Sequence, residues 1–172
     1  VGYTWSRTNR KFPDISNGKE FPSRWDRRHD LSVVLSYDVN KRWNIGATFV
    51  YATGQAVTLA VNRYFVEGQL VSEYTSRNGY RMIPYHRLDL AATRYGRTSK
   101  ILKDPVTGET TEIPKKFTSS WTFSVYNAYN RSNPYFIYYS ADGNPAAGTF
   151  QVQAKQVSLF SILPSITWNF KF

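Results

Sequence analysis

Residues 158–172 read SLFSILPSITWNFKF, and this stretch is the strongest indication of the fold in the sequence. Apolar side chains recur at every second position, with an interruption at Pro164: Phe160, Ile162, Ile166, Trp168, Phe170 and Phe172. After Pro164 the positions between them are polar: Ser165, Thr167, Asn169 and Lys171. Because successive side chains of a strand point to opposite faces, this alternation predicts an amphipathic β-strand over about residues 157–172.

Five other segments show the same period, at about residues 1–8, 29–39, 43–52, 86–95 and 119–129. In the segment 43–52, Trp43 and Tyr51 close the two ends of the apolar face. Strands of membrane barrels have an apolar lipid face, a polar lumen face and aromatic residues at both interfaces. The predicted fold is therefore all-β, an antiparallel transmembrane β-barrel segment of about six strands that stay open and belong to a larger barrel. The residues predicted to face lipid are Leu31, Val33, Leu35, Ile45, Phe49, Phe123, Ile166 and Phe170.

The lengths of the connections orient the predicted sheet. Outer-membrane barrels have short periplasmic turns and long extracellular loops. The long connections 9–28, 53–85 and 130–156 fall at one end, and the turn 40–42 falls at the other, together with residues 96–118. The connection 53–85 is rich in aromatic and β-branched residues, which predicts a hairpin of its own. The sequence DPVTGE at residues 104–109 predicts a second hairpin tip.

Composition narrows the function classes. Tyr, Phe and Trp make up 17% of the chain, an unusually high aromatic content that is typical of the aromatic girdles of membrane barrels. The chain has no Cys, which excludes a disulfide, a thiolate metal site and a Cys nucleophile within it. No stretch approaches the roughly 18 apolar residues of a membrane helix. The net charge is +10, but the basic residues form no continuous stripe, which argues against nucleic acid. Because residue one is Val1 and no signal peptide is present, we expect the chain to begin within a longer polypeptide.

Basic residues are concentrated at residues 7–28, with seven Lys or Arg against three Asp or Glu. This span is interpreted as a solvated loop, or as a contact for lipopolysaccharide phosphates or an anionic substrate. Aromatic residues of the other long connections are candidate substrate-contacting residues, because exposed rings stack on sugars and flat chelates. They are Tyr64, Phe65, Tyr74, Tyr80, Tyr135, Tyr138 and Tyr139, together with Phe136. Packing of the loops against one another explains the same rings equally well.

Catalytic and metal chemistry find little support in the sequence. His29, Asp30 and Ser32 are close along one strand, but neighbouring side chains on a strand face opposite ways, so His29 points away from Asp30. His86 and Asp89 belong to a strand that is not adjacent to this one in the predicted sheet, and no third metal ligand is placed beside them. The sequence therefore predicts no enzyme activity, no catalytic residue, no metal site and no cofactor.

Four motifs resemble the C-terminal part of TonB-dependent outer-membrane receptors, especially the Bacteroidetes type. They are RRHDLS (27–32), GYRMIPYHRLDL (79–90), VYNAYNRSNPYFIYY (125–139) and SLFSILPSITWNFKF (158–172), in the family's order. The ending is the most specific, because it is similar to the assembly signal of outer-membrane proteins, here Ile166, Trp168, Phe170 and Phe172. The resemblance implies that residues 1–172 are the C-terminal part of a barrel domain of about 22 strands. Its N-terminal plug and earlier strands would lie outside this sequence.

The resemblance also implies a function and partners. The function is energised import of a scarce nutrient, either a ferric chelate, an oligosaccharide or a peptide, across the outer membrane of a Gram-negative bacterium. The alternative is a structural barrel component or assembly substrate without transport activity. Implied partners are outer-membrane lipid and lipopolysaccharide, the barrel assembly machinery through the C-terminal strand, TonB through the missing N-terminal part, and a surface lipoprotein.

Overall fold

The computed structural model describes the chain except residues 68, 75, 104, 106, 107, 144–148 and 150, and the side chains of residues 61, 63, 65, 70 and 141. The protein is all-β, with 61% of residues in strands and one three-residue 3-10 turn, Ser16–Gly18, among the described residues. The strands are β1 (Gly2–Trp5), β2 (Asn9–Arg10), β3 (Phe21–Pro22), β4 (His29–Asn40), β5 (Trp43–Ala52), β6 (Ala56–Val57), β7 (Ala60–Val66), β8 (Gln69–Tyr74), β9 (Tyr80–Arg81), β10 (Tyr85–Tyr95), β11 (Ser99–Lys103), β12 (Thr110–Pro114), β13 (Thr118–Tyr126), β14 (Phe136–Asp142), β15 (Gln151–Val157) and β16 (Leu163–Lys171). No helix in the described part of the chain has the length and apolarity needed to cross a membrane.

The six strands predicted from alternation form one sheet in the order β1-β4-β5-β10-β13-β16. Within this sheet, β1 pairs with β4 in antiparallel orientation, and β13 pairs in the same way with both β10 and β16. The sheet is not closed, and β1 and β16 are its edges. The prediction of an open antiparallel sheet of six strands is therefore confirmed.

Contact clustering divides the chain into two compact units. Unit 1 comprises Val1–Ser32, Val50–His86 and Arg131–Ser161, and unit 2 comprises Val33–Phe49, Arg87–Asn130 and Ile162–Phe172. The three long connections predicted to lie at one end of the sheet belong to unit 1, apart from Asn130. Within it they form four small two-stranded sheets, β2-β3, β6-β9, β7-β8 and β14-β15. The hairpin predicted within residues 53–85 is β7-β8.

Unit 2 shows how the alternation places side chains on two faces. Phe123 pairs with Ile166 and Trp121 with Trp168 on the apolar face, while Ser124 pairs with Ser165 on the polar face. The Ser124 and Ser165 hydroxyl oxygens are 2.7 Å apart, and those of Thr93 and Thr122 are 3.0 Å apart. Hydroxyl pairs that satisfy each other across strands therefore line the polar face.

An aromatic belt crosses the apolar face of unit 2 near one end of its strands. The Trp121 and Trp168 rings stack with centroids 5.9 Å apart, Arg94 is the β-sheet partner of Trp121, and the Arg94 guanidinium lies 5.9 Å from the Trp43 ring. Four strands, β5, β10, β13 and β16, thus each contribute one residue. The end residue Trp43 of the predicted girdle lies in this belt.

Some predicted boundaries were wrong. The last strand begins at Leu163 and not at Val157, because Val157 ends β15 and pairs with Phe136. The strand predicted at 119–129 ends at Tyr126, since Asn127 and Asn130 have φ of 54° and 55° and turn the chain. A hairpin forms around DPVTGE as β11-β12, although residues 104, 106 and 107 of its tip lie outside the described residues.

Candidate binding site

The basic segment 24–28 is held in place in unit 1 by an ion cluster around Asp26. The Asp26 carboxylate is fully buried and accepts hydrogen bonds from the Thr8 amide at 2.7 Å and from Arg81 at 2.5 Å. The Arg28 guanidinium lies 3.5 Å from the same carboxylate. Arg81 also donates to the backbone carbonyls of Asp26 and Gly54. Asp26, which follows β3, is therefore joined to Thr8 before β2 and to Arg81 of β9. Arg81 in turn binds Gly54, which follows β5.

The same contacts determine the direction in which the Asp26 pKa is shifted. Burial raises the pKa of this carboxyl, but the Thr8 hydrogen bond and the guanidinium groups of Arg81 and Arg28 outweigh burial. The Asp26 pKa therefore lies below its usual value, and the carboxylate stays charged at neutral pH.

Gly54 allows the neighbouring backbone to approach closely. A Cβ at this position would be 1.7 Å from the Met82 carbonyl oxygen, so a larger residue would push the segments after β5 and β9 apart. The Met82 amide donates to the Gln55 carbonyl at 2.9 Å, and Ala52, Ala56 and Met82 are buried beside it. This small apolar core gives the site a fixed floor.

A cavity of about 510 Å³, here called the aromatic cavity, lies above this floor. Among the residues that line it are Trp25, Tyr135, Phe136, Arg24, Arg27 and Met82. The rings of Trp25, Tyr135 and Phe136 are substantially exposed, and no Asp or Glu is among the described lining residues. Arg27 is partly engaged with Asp30 at 3.7 Å, whereas the Arg24 guanidinium lies 5.7 Å from the Trp25 ring.

The aromatic cavity combines ring faces with positive charge. Exposed rings bind the apolar faces of sugars or flat chelates, and guanidinium groups donate hydrogen bonds to carboxylate or phosphate oxygens. The volume is in the range of known small-molecule pockets. The arrangement is therefore suited to a flat or cyclic ligand that carries negative charge.

The predicted substrate-contacting rings are not gathered in one place. Tyr135 lines the aromatic cavity and Tyr74 lines a different cavity, whereas Tyr64 and Tyr80 are exposed on β7 and β9. Tyr138 lies beside Phe136, with ring centroids 6.2 Å apart. The Phe65 side chain lies outside the described residues.

Tyr139 favours the alternative explanation, in which the rings pack the loops together. Its ring is half-buried, and its hydroxyl donates to the Ala60 carbonyl at 3.2 Å. That hydrogen bond joins the β14-β15 hairpin to the start of β7, so Tyr139 helps to hold these loops together.

Arg87 and Asp89 of the HRLDL motif form a polar cluster on unit 2. The Arg87 guanidinium pairs with Asp89 at 2.9 Å, donates to the Tyr126 hydroxyl at 2.6 Å and lies 4.0 Å from the Tyr126 ring. The other Asp89 oxygen accepts a hydrogen bond from the backbone amide of Asn127. Asn127 is fully buried and has a positive φ. A cavity of about 460 Å³ lies over this polar face, lined also by Val34, Ser36 and Ser165.

The four residues of the predicted assembly signal lie at the edge of the sheet. Ile166, Trp168 and Phe170 are exposed on the apolar face of the edge strand β16, and Phe172 follows it. The Phe172 ring packs against Phe170 and against Phe117, with centroids 5.6 and 5.5 Å apart.

The histidines lie in separate environments. The Tyr3 hydroxyl is 2.8 Å from His29 Nδ1, and β5 separates the strand of His29 from that of His86. Within the described residues, no group of three His, Cys, Asp or Glu side chains is arranged to hold a metal ion.

No known relative matches. Neither a protein-family model nor a curated protein nor a solved structure shows significant similarity to the chain.

Several residues of the aromatic cavity were missed from the sequence. Trp25 and Gln55 lie outside the four quoted motifs, and Met82 lies in the motif 79–90, which gave no reason to place it at a cavity. The pairing of β6 with β9 and the contact of Asp26 with Arg81 bring the segments of these residues together. The one usable signal was Trp25 among the arginines of the SRWDRR segment, residues 23–28.

Proposed function

We propose that this chain forms part of the wall of an outer-membrane β-barrel, and that the barrel belongs to a TonB-dependent transporter that imports a scarce nutrient. The observation that carries the proposal is the exposed apolar face of the six-stranded sheet. On unit 2 this face includes Leu35, Ile45, Phe123, Ile166 and Phe170, all exposed.

The small buried core supports a lipid environment. Among the described residues, only four hydrophobic side chains are buried: Phe21, Ala52, Ala56 and Met82. All four belong to unit 1. A water-soluble domain of this length buries most of its large apolar side chains, because their removal from water drives folding. Contact with lipid gives the exposed face of unit 2 the apolar surroundings that its own residues do not provide.

The opposite face supports a lumen. It carries the hydroxyl pairs, the Arg87–Asp89 pair and the polar-face cavity, as the water-facing side of a barrel wall would. The belt of Trp43, Arg94, Trp121 and Trp168 has the composition of an interfacial girdle, in which rings and a long basic side chain meet the headgroups.

The two unpaired edges of the sheet indicate which partners the chain needs. In hydrocarbon each unsatisfied backbone group costs several kcal/mol, so a sheet in lipid has no unpaired edge. The proposal therefore requires further strands beside β1 and β16, and it makes β16 the strand that the assembly machinery receives. Lipopolysaccharide, TonB and a surface lipoprotein are the other proposed partners.

Transport itself is supported by the resemblance of the four motifs to TonB-dependent receptors and by the aromatic cavity, which fits a small anionic ligand. The alternative is a structural barrel that shares the wall and lacks the transport function. The two differ in whether TonB is engaged.

The test uses the full-length gene product. We expect its coding sequence to include a plug and a TonB-binding segment, and we expect the purified protein to bind the periplasmic domain of TonB saturably in a titration. Deleting the TonB-binding segment serves as the control and should abolish binding. Outer-membrane protein without a plug and without TonB binding would overturn transport and leave the structural barrel. Recovery of the protein in the soluble fraction would overturn both.

A further inference from the structure

A second cavity in unit 1, here called the arginine cavity, has a volume of about 300 Å³. Arg10, Arg24 and Arg77 line it, and they come from three separate segments of the chain. In the part of the chain that the structure describes, no Asp or Glu lines this cavity, and none of the three arginines forms an ion pair. Three like charges are thus gathered without a counter-ion from the protein.

Two of these guanidinium groups are held by aromatic rings. Arg77 lies 5.6 Å from the Phe21 ring, and Arg24 lies 5.7 Å from the Trp25 ring. A guanidinium at this distance is attracted to the ring and still has N–H groups that can donate hydrogen bonds. The third, Arg10, is fixed by the β2-β3 pairing, in which it lies opposite Phe21.

Backbone and side-chain hydrogen bonds fix the rest of the wall. The Asn78 amide donates to Thr58 Oγ1 at 2.9 Å, and Asn78 Nδ2 donates to the Pro22 carbonyl at 2.9 Å. Ser23 is buried, and its amide donates to the Thr8 carbonyl at 2.9 Å. A wall already ordered in this way loses little conformational entropy when a ligand binds.

We propose that the arginine cavity binds an oxyanion of the phosphate class. Several guanidinium groups with free N–H donors match the charge and the multiple acceptor oxygens of a phosphate group. No carboxylate among the described lining residues competes with the phosphate for these donors. Arg77 also lines a neighbouring cavity, and the carboxylates that line that cavity, Asp14 and Glu20, do not line the arginine cavity. The phosphate belongs either to lipopolysaccharide or to a soluble molecule. This inference is independent of transport.

The experiment uses full-length protein in an uncharged detergent. Inorganic phosphate is titrated calorimetrically as the soluble probe, and lipopolysaccharide is compared with the same lipopolysaccharide after enzymatic dephosphorylation. Saturable binding of inorganic phosphate identifies a soluble source, and binding of only the phosphorylated lipopolysaccharide identifies the lipid source. Either result supports the site. No binding of inorganic phosphate, together with equal binding of the two lipopolysaccharide forms, would overturn it.

Variants locate the binding. The double variant Arg24→Gln/Arg77→Gln should weaken binding roughly tenfold or more, because two charge-assisted hydrogen-bond donors are lost. Arg7→Gln, a single charge removed from an exposed arginine outside the cavity, should bind as the original protein does. Arg24→Lys/Arg77→Lys keeps the charge and the fold but loses bidentate donation, so its affinity should be intermediate. Equal affinity of all three variants would show that Arg24 and Arg77 do not bind the phosphate and would overturn the site. Affinity that falls only with the number of charges removed, so that the double Lys variant binds as the original protein does, would show general charge attraction and would overturn it too.

Discussion

At the scale of single residues, the buried Asp26 carboxylate joins separate segments of unit 1. It is the only fully buried acid among the described residues, and it binds Arg81 and the Thr8 amide on segments that are distant in sequence. Removing one partner of a buried pair is costly because the other partner loses its compensation. Asp26 therefore connects the arginine segment to the floor of the aromatic cavity.

We expect Asp26→Asn to lower the free energy of unfolding of the loop unit by about 1.5–3 kcal/mol at neutral pH, the contribution of hydrogen bonds to a charged group. The Asp26 pKa is lower in the folded than in the unfolded protein, so its stabilisation is present above the unfolded-state pKa and is lost as the pH falls through the folded-state pKa. The original protein should therefore lose stability in acid, while the variant changes less over the same range.

Protection of loop amides from hydrogen exchange, measured as a function of pH, checks this prediction. Asp14→Asn is a matched control, because Asp14 is exposed and forms no ion pair among the described residues. Parallel pH profiles for Asp26→Asn and the original protein would contradict the assigned role.

At the scale of elements, β16 combines two properties on which its proposed role in assembly depends. It is an edge strand of the six-stranded sheet, and its apolar residues are exposed on one face. Pro164 is compatible with this position, because a proline lacks the amide needed to pair on both sides and is found on edge strands. Its free edge is available for another strand.

We expect Phe172→Glu to reduce the amount of folded, heat-modifiable protein in the outer membrane strongly, while the protein that does fold keeps its ligand affinity. The reason is that Phe172 continues the apolar register of β16 next to a free edge, far in sequence from the cavity residues. Phe117→Ala is the control, since it removes the contact between the two rings but leaves the C-terminal residue intact. Normal assembly of Phe172→Glu would show that the terminal ring has no such role.

At the scale of the whole molecule, the strands were more predictable than the sites. Alternation along β4, β5, β10, β13 and β16 is a local signal, so all were found within a few residues except for the start of β16. The two cavities depend on pairings between distant segments, β2 with β3 and β6 with β9, that are only two residues long. Such short strands leave no period in the sequence, and for this reason the lining residues Trp25, Arg77 and Met82 were not identified.

The central claim is that one face of the sheet contacts lipid, and neighbouring positions in β4 test it most directly. Val34 and Leu35 are exposed to nearly the same extent, 65% and 63%, but they lie on opposite faces. Residues 1–172 contain no Cys, so a Cys at either position is the only one that this part of the protein contributes, and any Cys elsewhere in the full-length protein is replaced by Ser before labelling.

The decisive measurement is the accessibility of labels at Val34→Cys and Leu35→Cys to oxygen and to a water-soluble nickel chelate, in full-length protein reconstituted into lipid vesicles. Oxygen concentrates in hydrocarbon, and the chelate stays in water. The account predicts a high ratio of oxygen to chelate accessibility at position 35 and a low ratio at position 34. Equal ratios at the two positions, with the chelate reaching the label at 35 as readily as that at 34, would contradict it.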